Sequence, residues 1–391
     1  MITHSMAYQI QHYFDAHRDE METMVAALAE FETPSRNPEA QEDIIDFLIE
    51  QFRNVGYTSI YVPGKLTGGY LYLRPIARKT DTPVQLLVGH CDTVWPLGTI
   101  YTMPVQNENG TLKGPGVFDM KAGIAQMYFC LRAIHDIELN TPVVPVILIN
   151  SDEEIGSHES TAAIRRLAKI ARRAFILEPP LGLSGKLKTA RKGIGRFTLS
   201  VRGKPAHAGL DPGKGASAII ELSHQIQRLF AMNDFDKGIT VNVGMIEGGI
   251  SPNVVAPESK AIIDVRVLTT TDADWITEQI MALKPENPET EISIDGYFGR
   301  PPLERNERNI ALWTAAETAG EKMGLKLKEG VAGGGSDGNT TSLYCATLDG
   351  LGTVGDGAHA EHEFIYLDKL VERTTLLTLL VTMPPISGTQ N

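Results

Sequence analysis

PVVPVILINSDEEIGS, residues 142–157, joins an apolar run rich in Val and Ile to three consecutive acids, Asp152, Glu153 and Glu154. The apolar half reads as a strand buried on both faces of a sheet. Adjacent carboxylates raise one another's pKa and lose solvation when buried. A chain that ends a buried strand in them needs either open surface or a strong positive charge such as a metal ion. Similar strand-like runs stand on either side, VQLLVGH at 84–90 and FILEP at 175–179, too short and too β-branched for helices. Between them lie segments with helical spacing, GIAQMYFCLRAI at 123–134, where Ile124, Met127, Tyr128, Leu131 and Ile134 recur on one face, and TAAIRRLAKIARRA at 161–174. Alternating strands and helices predict an α/β domain with a mostly parallel sheet.

From about Lys192 the texture changes. RFTLSVRG (196–203), TVNVGMI (240–246), KAIIDVRVL (260–268) and ETEISIDGYFG (289–299) read as strands, with helices predicted over 216–230 and 273–284. This β-α-β-β-α-β order is that of a ferredoxin-like α+β unit. Beyond GRPPLERN the α/β pattern resumes, with helices around 310–324 and 367–381. The expected organisation is therefore a discontinuous domain of residues 1–192 and 304–391, carrying an inserted lid or dimerisation domain at 193–303.

Composition narrows the functions open to such a chain. Its 391 residues carry a formal charge of −12 with no long Lys/Arg run, which argues against nucleic acid or anionic membrane as partner and for a small-molecule or short-peptide substrate. No segment approaches the roughly 20 apolar residues of a membrane span. Three widely spaced cysteines, Cys91, Cys130 and Cys345, suit a reducing compartment, and with no signal-peptide pattern at the start the cytoplasm is the expected location.

Metal-competent side chains gather near the ends of the predicted strands. His90 and Asp92 follow VQLLV, Glu153 and Glu154 follow VILIN, and Glu178 closes AFILEP; Asp119 stands ahead of a helix and His359 in the returning C-terminal segment. Ligands of open α/β sheets collect beyond the carboxyl ends of strands, so residues far apart in sequence can converge there. Singly, each of these is an ordinary surface or core residue; together, imidazoles and carboxylates without thiolates suit zinc or a neighbouring divalent ion.

In order along the chain, GHCDTV, GPGVFDMKAG, NSDEEIGS, LEP, GKPAHAG, SPNVVAPESKAIIDVR and GGGSDGN strongly resemble the dinuclear-zinc aminoacylase/carboxypeptidase family, and within it the glutamate carboxypeptidases that cleave folate-type substrates. The resemblance implies a zinc-peptidase-like catalytic domain with two Zn2+ per chain, Co2+ or Mn2+ being possible substitutes. It makes Asp119 the bridge between the ions, with His90 and Glu178 on one and Glu154 and His359 on the other. His359 is preferred to His362 because the family places a Glu four residues after its His, as Glu363 stands here. Met120 replaces a second acid found in several relatives, and the family often makes the bond after the bridging aspartate cis. By the same resemblance Glu153 is the general base, Asp92 orients His90 through its free ring nitrogen, and His207 stabilises an oxyanion, commonly across a dimer interface. Asn253 and Arg266 match carboxylate-binding positions; Lys186, Arg300 and the backbone around Gly334 match the surroundings of a glutamate pocket. The implied activity is hydrolysis of an amide bond next to a free carboxylate, releasing a C-terminal amino acid such as glutamate. An N-acyl-amino-acid deacylase or dipeptidase is the alternative, and a silent binding scaffold a lesser one. The implied assembly is a homodimer through the insert.

Overall fold

The computed structural model describes residues 2–78 and 81–386. The chain divides into two units: one takes residues through Thr189, Arg305–Ala332 and the chain from Ser336, the other Ala190–Glu304 with Gly333–Gly335.

In the first unit six strands lie in the order Tyr57–Val62, Tyr70–Pro75, Val144–Asn150, Val84–His90, Ala171–Ile176, Ala346–Leu348. The last four run parallel and only Tyr70–Pro75 runs against the rest, so the sheet is mixed but mostly parallel. Period-2 alternation sends Leu87, Ile147, Ile149 and Phe175 into one core, together with helices Ala122–Asp136 and Leu367–Val381. Leu86, Val88, Val146, Leu148 and Ile176 enter another, with Ile164 and Leu167 of helix Thr161–Ala168. Every residue of Val84–His90 is buried, as expected for a central strand covered on both faces.

One expected element ran too far. The helix predicted over 161–174 stops at Ala168, and Ala171–Ile176 is a strand beside Val84–His90. Ala and Arg favour helix, but the Arg173 side chain is fully buried and donates to Gln85 Oε1 and to the carbonyls of Met383 and Pro384. Satisfying a buried guanidinium outweighs a few tenths of a kcal/mol of local propensity.

The second unit is a four-stranded antiparallel sheet in the order Thr240–Gly248, Glu258–Val267, Gly193–Arg202, Glu291–Arg300, with helices Ala218–Phe230 and Thr270–Met281 against one face. Phe197, Leu199, Val201, Ala261, Ile263 and Val265 alternate inward to form its core with Leu222, Leu229, Ile276 and Ile280. Strand Thr240–Gly248 is an edge and exposes Met245 and Ile246.

Candidate metal centre

Three neighbouring parallel strands deliver the site. Val84–His90 ends on His90; Val144–Asn150 leads into the short 3-10 turn Glu153–Ile155; Ala171–Ile176 leads to Glu178. Because the strands are parallel, their ends lie on one side of the sheet. Asp119 comes from the kinked turn Val117–Lys121, where Asp119 and Met120 leave helical geometry and the bond between them is cis. Met120 is buried, and its sulfur accepts the His90 N–H at 3.3 Å.

The carboxylate of Asp119 faces two ways. Its Oδ1 lies 3.2 Å from His90 Nε2 and its Oδ2 lies 3.6 Å from His359 Nε2. Glu178 Oε1 is 3.5 Å from His90 Nε2, and Glu154 Oε2 is 3.0 Å from His359 Nε2. Ligand atoms of His90, Asp119 and Glu154 fall within 4.8 Å of one another, as do those of His90, Glu153 and Glu178. Glu153 therefore stands beside the cluster and not out in solvent. His359 and His362 are both exposed, but it is His359, with φ of 60° in the left-handed region, whose imidazole turns to the carboxylates. For a non-glycine residue that backbone is strained, a mark often found at functional sites.

The tautomer of His90 follows from its partners. Nδ1 lies 3.0 Å from the main-chain carbonyl of Asp92, which can only accept, so Nδ1 carries the proton. The carboxylate of Asp92 is farther from Nδ1, at 3.4 Å. Orientation of His90, expected from the Asp92 side chain, thus comes first from its backbone. The side chain has other work: it accepts from Ser35 Oγ at 2.6 Å and from the N–H groups of Glu153 and Glu154 at 3.2 Å each, pinning the acidic turn.

These contacts fit a cation. With Nδ1 donating to the Asp92 carbonyl, Nε2 faces two carboxylate oxygens, an arrangement that calls for positive charge there, either a proton on Nε2 or a metal ion. Burial pushes His90 down, but Asp119, Asp92 and Glu178 outweigh it and hold it well above the ordinary imidazole value. Burial pushes the Glu154 carboxyl up, with Asp119 adding to it and His359 opposing, and its Oε1 is buried without a hydrogen-bond partner. Glu154 beside it raises His359 to about 9. Nitrogen and oxygen donors of this kind suit a divalent ion of the zinc type. Cys91, between His90 and Asp92 in sequence, offers no thiolate, because burial pushes its thiol up to about 12.

Sequence reading did not assign a role to Glu363. Its buried carboxylate accepts four N–H groups, from Gly116 at 2.8 Å, Phe118 at 2.9 Å, Asp119 at 3.0 Å and the Trp95 indole at 3.0 Å. Asp337, in the GGGSDGN stretch whose Gly334 backbone matches the surroundings of a glutamate pocket, is likewise buried. It accepts from Asn150 Nδ2 at 2.7 Å and Ser157 Oγ at 2.5 Å, bracing both ends of the turn that carries Glu153 and Glu154.

The substrate-binding candidates fall into three places. His207 and Asn253 are neighbours in the second unit: His207 bridges Val254, and the Ala208 N–H donates to the Asn253 carbonyl at 2.9 Å. Arg266, Arg300 and Gly334 meet at one end of that unit's sheet, where Arg266 and Arg300 flank Ile194. The Arg266 fork already holds Asp264, at 2.7 and 3.0 Å, and the Gly334 carbonyl accepts from Arg191 at 3.3 Å. Lys186 is exposed in the first unit, in the turn closed by Leu181 and Lys186.

A mostly parallel sheet gathering histidines and carboxylates at its strand ends, with an α+β insert, defines a two-unit metallohydrolase. The profile of a peptidase dimerisation domain, M20_dimer, matches residues 189–290. Carboxypeptidase G2 of Pseudomonas sp. (strain RS-16) is 26% identical over 94% of this chain and 91% of its own length. Among solved structures, aminopeptidase PepT from Bacillus cereus superposes with a TM-score of 0.81 at 21% identity, over 93% of this chain and 98% of that one. The YXEP protein of Bacillus subtilis, a dinuclear metal-binding peptidase, superposes with a TM-score of 0.71 at 14% identity, over 94% and 98%. The chain is thus similar to M20 metallopeptidases over nearly its whole length, which supports a hydrolase acting on peptide bonds.

Proposed function

We propose that this enzyme is a carboxypeptidase with two zinc ions, releasing a C-terminal glutamate from folate-like, N-acyl or short-peptide substrates. One observation carries the reading of the centre: the two oxygens of Asp119 face different histidines, each with its own glutamate. His90 and Glu178 would hold one ion, His359 and Glu154 the other, and Asp119 both. The bound ions supply Lewis acidity, lowering the pKa of water at the site and polarising the scissile carbonyl.

The chain's own groups do the rest. Glu153, next in sequence to the ligand Glu154, takes a proton from the attacking water and returns it to the leaving amine. The Asp92 carboxylate keeps the two glutamates apart in role by fixing both of their N–H groups. His207 accepts at Nδ1 from the N–H groups of Gly209 and Leu210, each at 3.1 Å, so its proton sits on Nε2, in the form that donates to an oxyanion. Asn253 and Arg266 are assigned to the substrate carboxylate, and Lys186, Arg300 and the Gly334 backbone to recognition of a glutamate side chain. We assign the assembly to a homodimer through the exposed edge strand Thr240–Gly248, and the working compartment to the cytoplasm, in keeping with three buried free thiols.

Elemental analysis together with glutamate release tests this. Two zinc ions per chain, and release from a folate-type or N-acyl-glutamate substrate that a chelator stops and zinc restores, is the expected result. Two ions with turnover only of other N-acyl amino acids or dipeptides would move the specificity to a deacylase or dipeptidase. A chain that binds no metal and hydrolyses none of these would overturn the reading.

A further inference from the structure

Resting on the metal-centre reading above, we infer that Glu363 is a positioning residue that sets the bridging carboxylate of Asp119 and ties it to the loop carrying His359. Its two oxygens divide their work. Oε1 accepts the N–H groups of Phe118 and Asp119, at 2.9 and 3.0 Å; Oε2 accepts those of Gly116 and the Trp95 indole, at 2.8 and 3.0 Å. Three of the four donors are main-chain groups of the turn that holds Asp119, a turn whose residues leave helical geometry at Asp119 and Met120 and so cannot satisfy these groups internally. The fourth, Trp95, belongs to the segment just beyond Asp92.

Glu363 also belongs to the loop of His359. Its own N–H donates to the Ala360 carbonyl at 3.0 Å, and Ala360 N–H to the Gly357 carbonyl at 2.8 Å, so the short turn around His359 closes directly onto it. Its carbonyl accepts the Gly114 N–H at 3.4 Å, and strand Phe364–Tyr366 pairs onward with Thr111–Lys113. One carboxylate therefore joins the segments after Asp92, before and at Asp119, and around His359. A buried carboxylate is costly unless its lone pairs are filled, and here four donors fill them. Each oxygen also takes two donors, so the carboxylate cannot turn without losing at least one of them. Both features suit fixing the distance between Asp119 Oδ2 and His359 Nε2 to within the few tenths of an ångström that a shared ligand needs.

The Gln variant keeps shape and burial but can offer only one accepting oxygen, so one pair of N–H groups meets an NH2 group. The test uses the full-length protein, titrated with Co2+ while the visible absorption of the bound ion is followed, with kcat and KM measured at saturating metal. For Glu363→Gln the dissociation constant of the weaker ion should rise 10–100-fold, kcat should fall at least tenfold, KM should stay within threefold, and the cobalt spectrum should change shape. Glu363→Asp, which keeps the charge on a shorter arm, should recover part of both losses. A folded Glu363→Gln with wild-type cobalt affinity, spectrum and kcat would overturn the inference, leaving Glu363 a structural residue only. Should the Gln variant not fold, a wild-type cobalt titration and kcat in Glu363→Asp would overturn it equally. If the wild type itself takes up no cobalt, the metal-centre reading fails first and the inference falls with it; cobalt uptake by the wild type separates the two.

Discussion

Asp119 turns its oxygens toward His90 and His359, at 3.2 and 3.6 Å, the division on which its proposed role as a shared ligand rests. The neighbouring glutamates divide in the same way: Glu154 reaches His359, whereas Glu153 lies with His90 and Glu178. If Glu153 is the proton carrier, Glu153→Ala lowers kcat by about 10²–10⁴-fold while metal content stays near wild type, checked by elemental analysis beside steady-state kinetics. The two C-terminal histidines separate by the same pair of measurements. His359→Ala should lose metal and activity together; His362→Ala, at an exposed position, should lose neither.

At the scale of elements, the site depends on how closely helix Ala122–Asp136 approaches the strand ends. Gly123 sits where an added Cβ would lie 2.4 Å from the Leu177 carbonyl oxygen and 2.8 Å from Met120 Cε. Alanine gains about 1 kcal/mol of helix propensity over glycine, but the nearest atom is main chain and cannot move aside as a side chain would. Overpacking of this kind costs about 1–3 kcal/mol, so Gly123→Ala should be destabilised in thermal or urea unfolding despite its better helix former. The displaced backbone leads directly to Glu178, so the variant should also bind metal more weakly.

At the scale of the whole molecule, the inserted unit carries its own core and leaves Met245, Ile246 and Ile250 exposed at or just beyond an unpaired strand edge. Large apolar groups on a free edge invite pairing with a second strand, and this is the basis for proposing a homodimer. A charge there blocks pairing without touching the core. Ile246→Asp should shift the protein from dimer to folded monomer in sedimentation velocity, with circular dichroism unchanged. If His207 serves a partner's centre, kcat should drop in the monomer while metal content holds; a monomer with full activity would return His207 to its own chain.

The sequence by itself determined the alternation of strands and helices, the α+β insert and the set of metal-competent residues, because periodicity and residue type are local properties. Even the closing helix at 367–381 is readable from spacing alone. It did not determine where helix 161–168 ends, since a strand partner and the burial of Arg173 decide that. Nor did it reveal that the backbone of Asp92 fixes the His90 proton, that the Arg266 fork is engaged by Asp264, or that Glu363 and Asp337 hold the turns bearing Asp119 and the two glutamates. Those facts are hydrogen bonds between groups tens to hundreds of residues apart, or between neighbours whose side chains have several possible partners. Only the folded chain fixes which donor meets which acceptor.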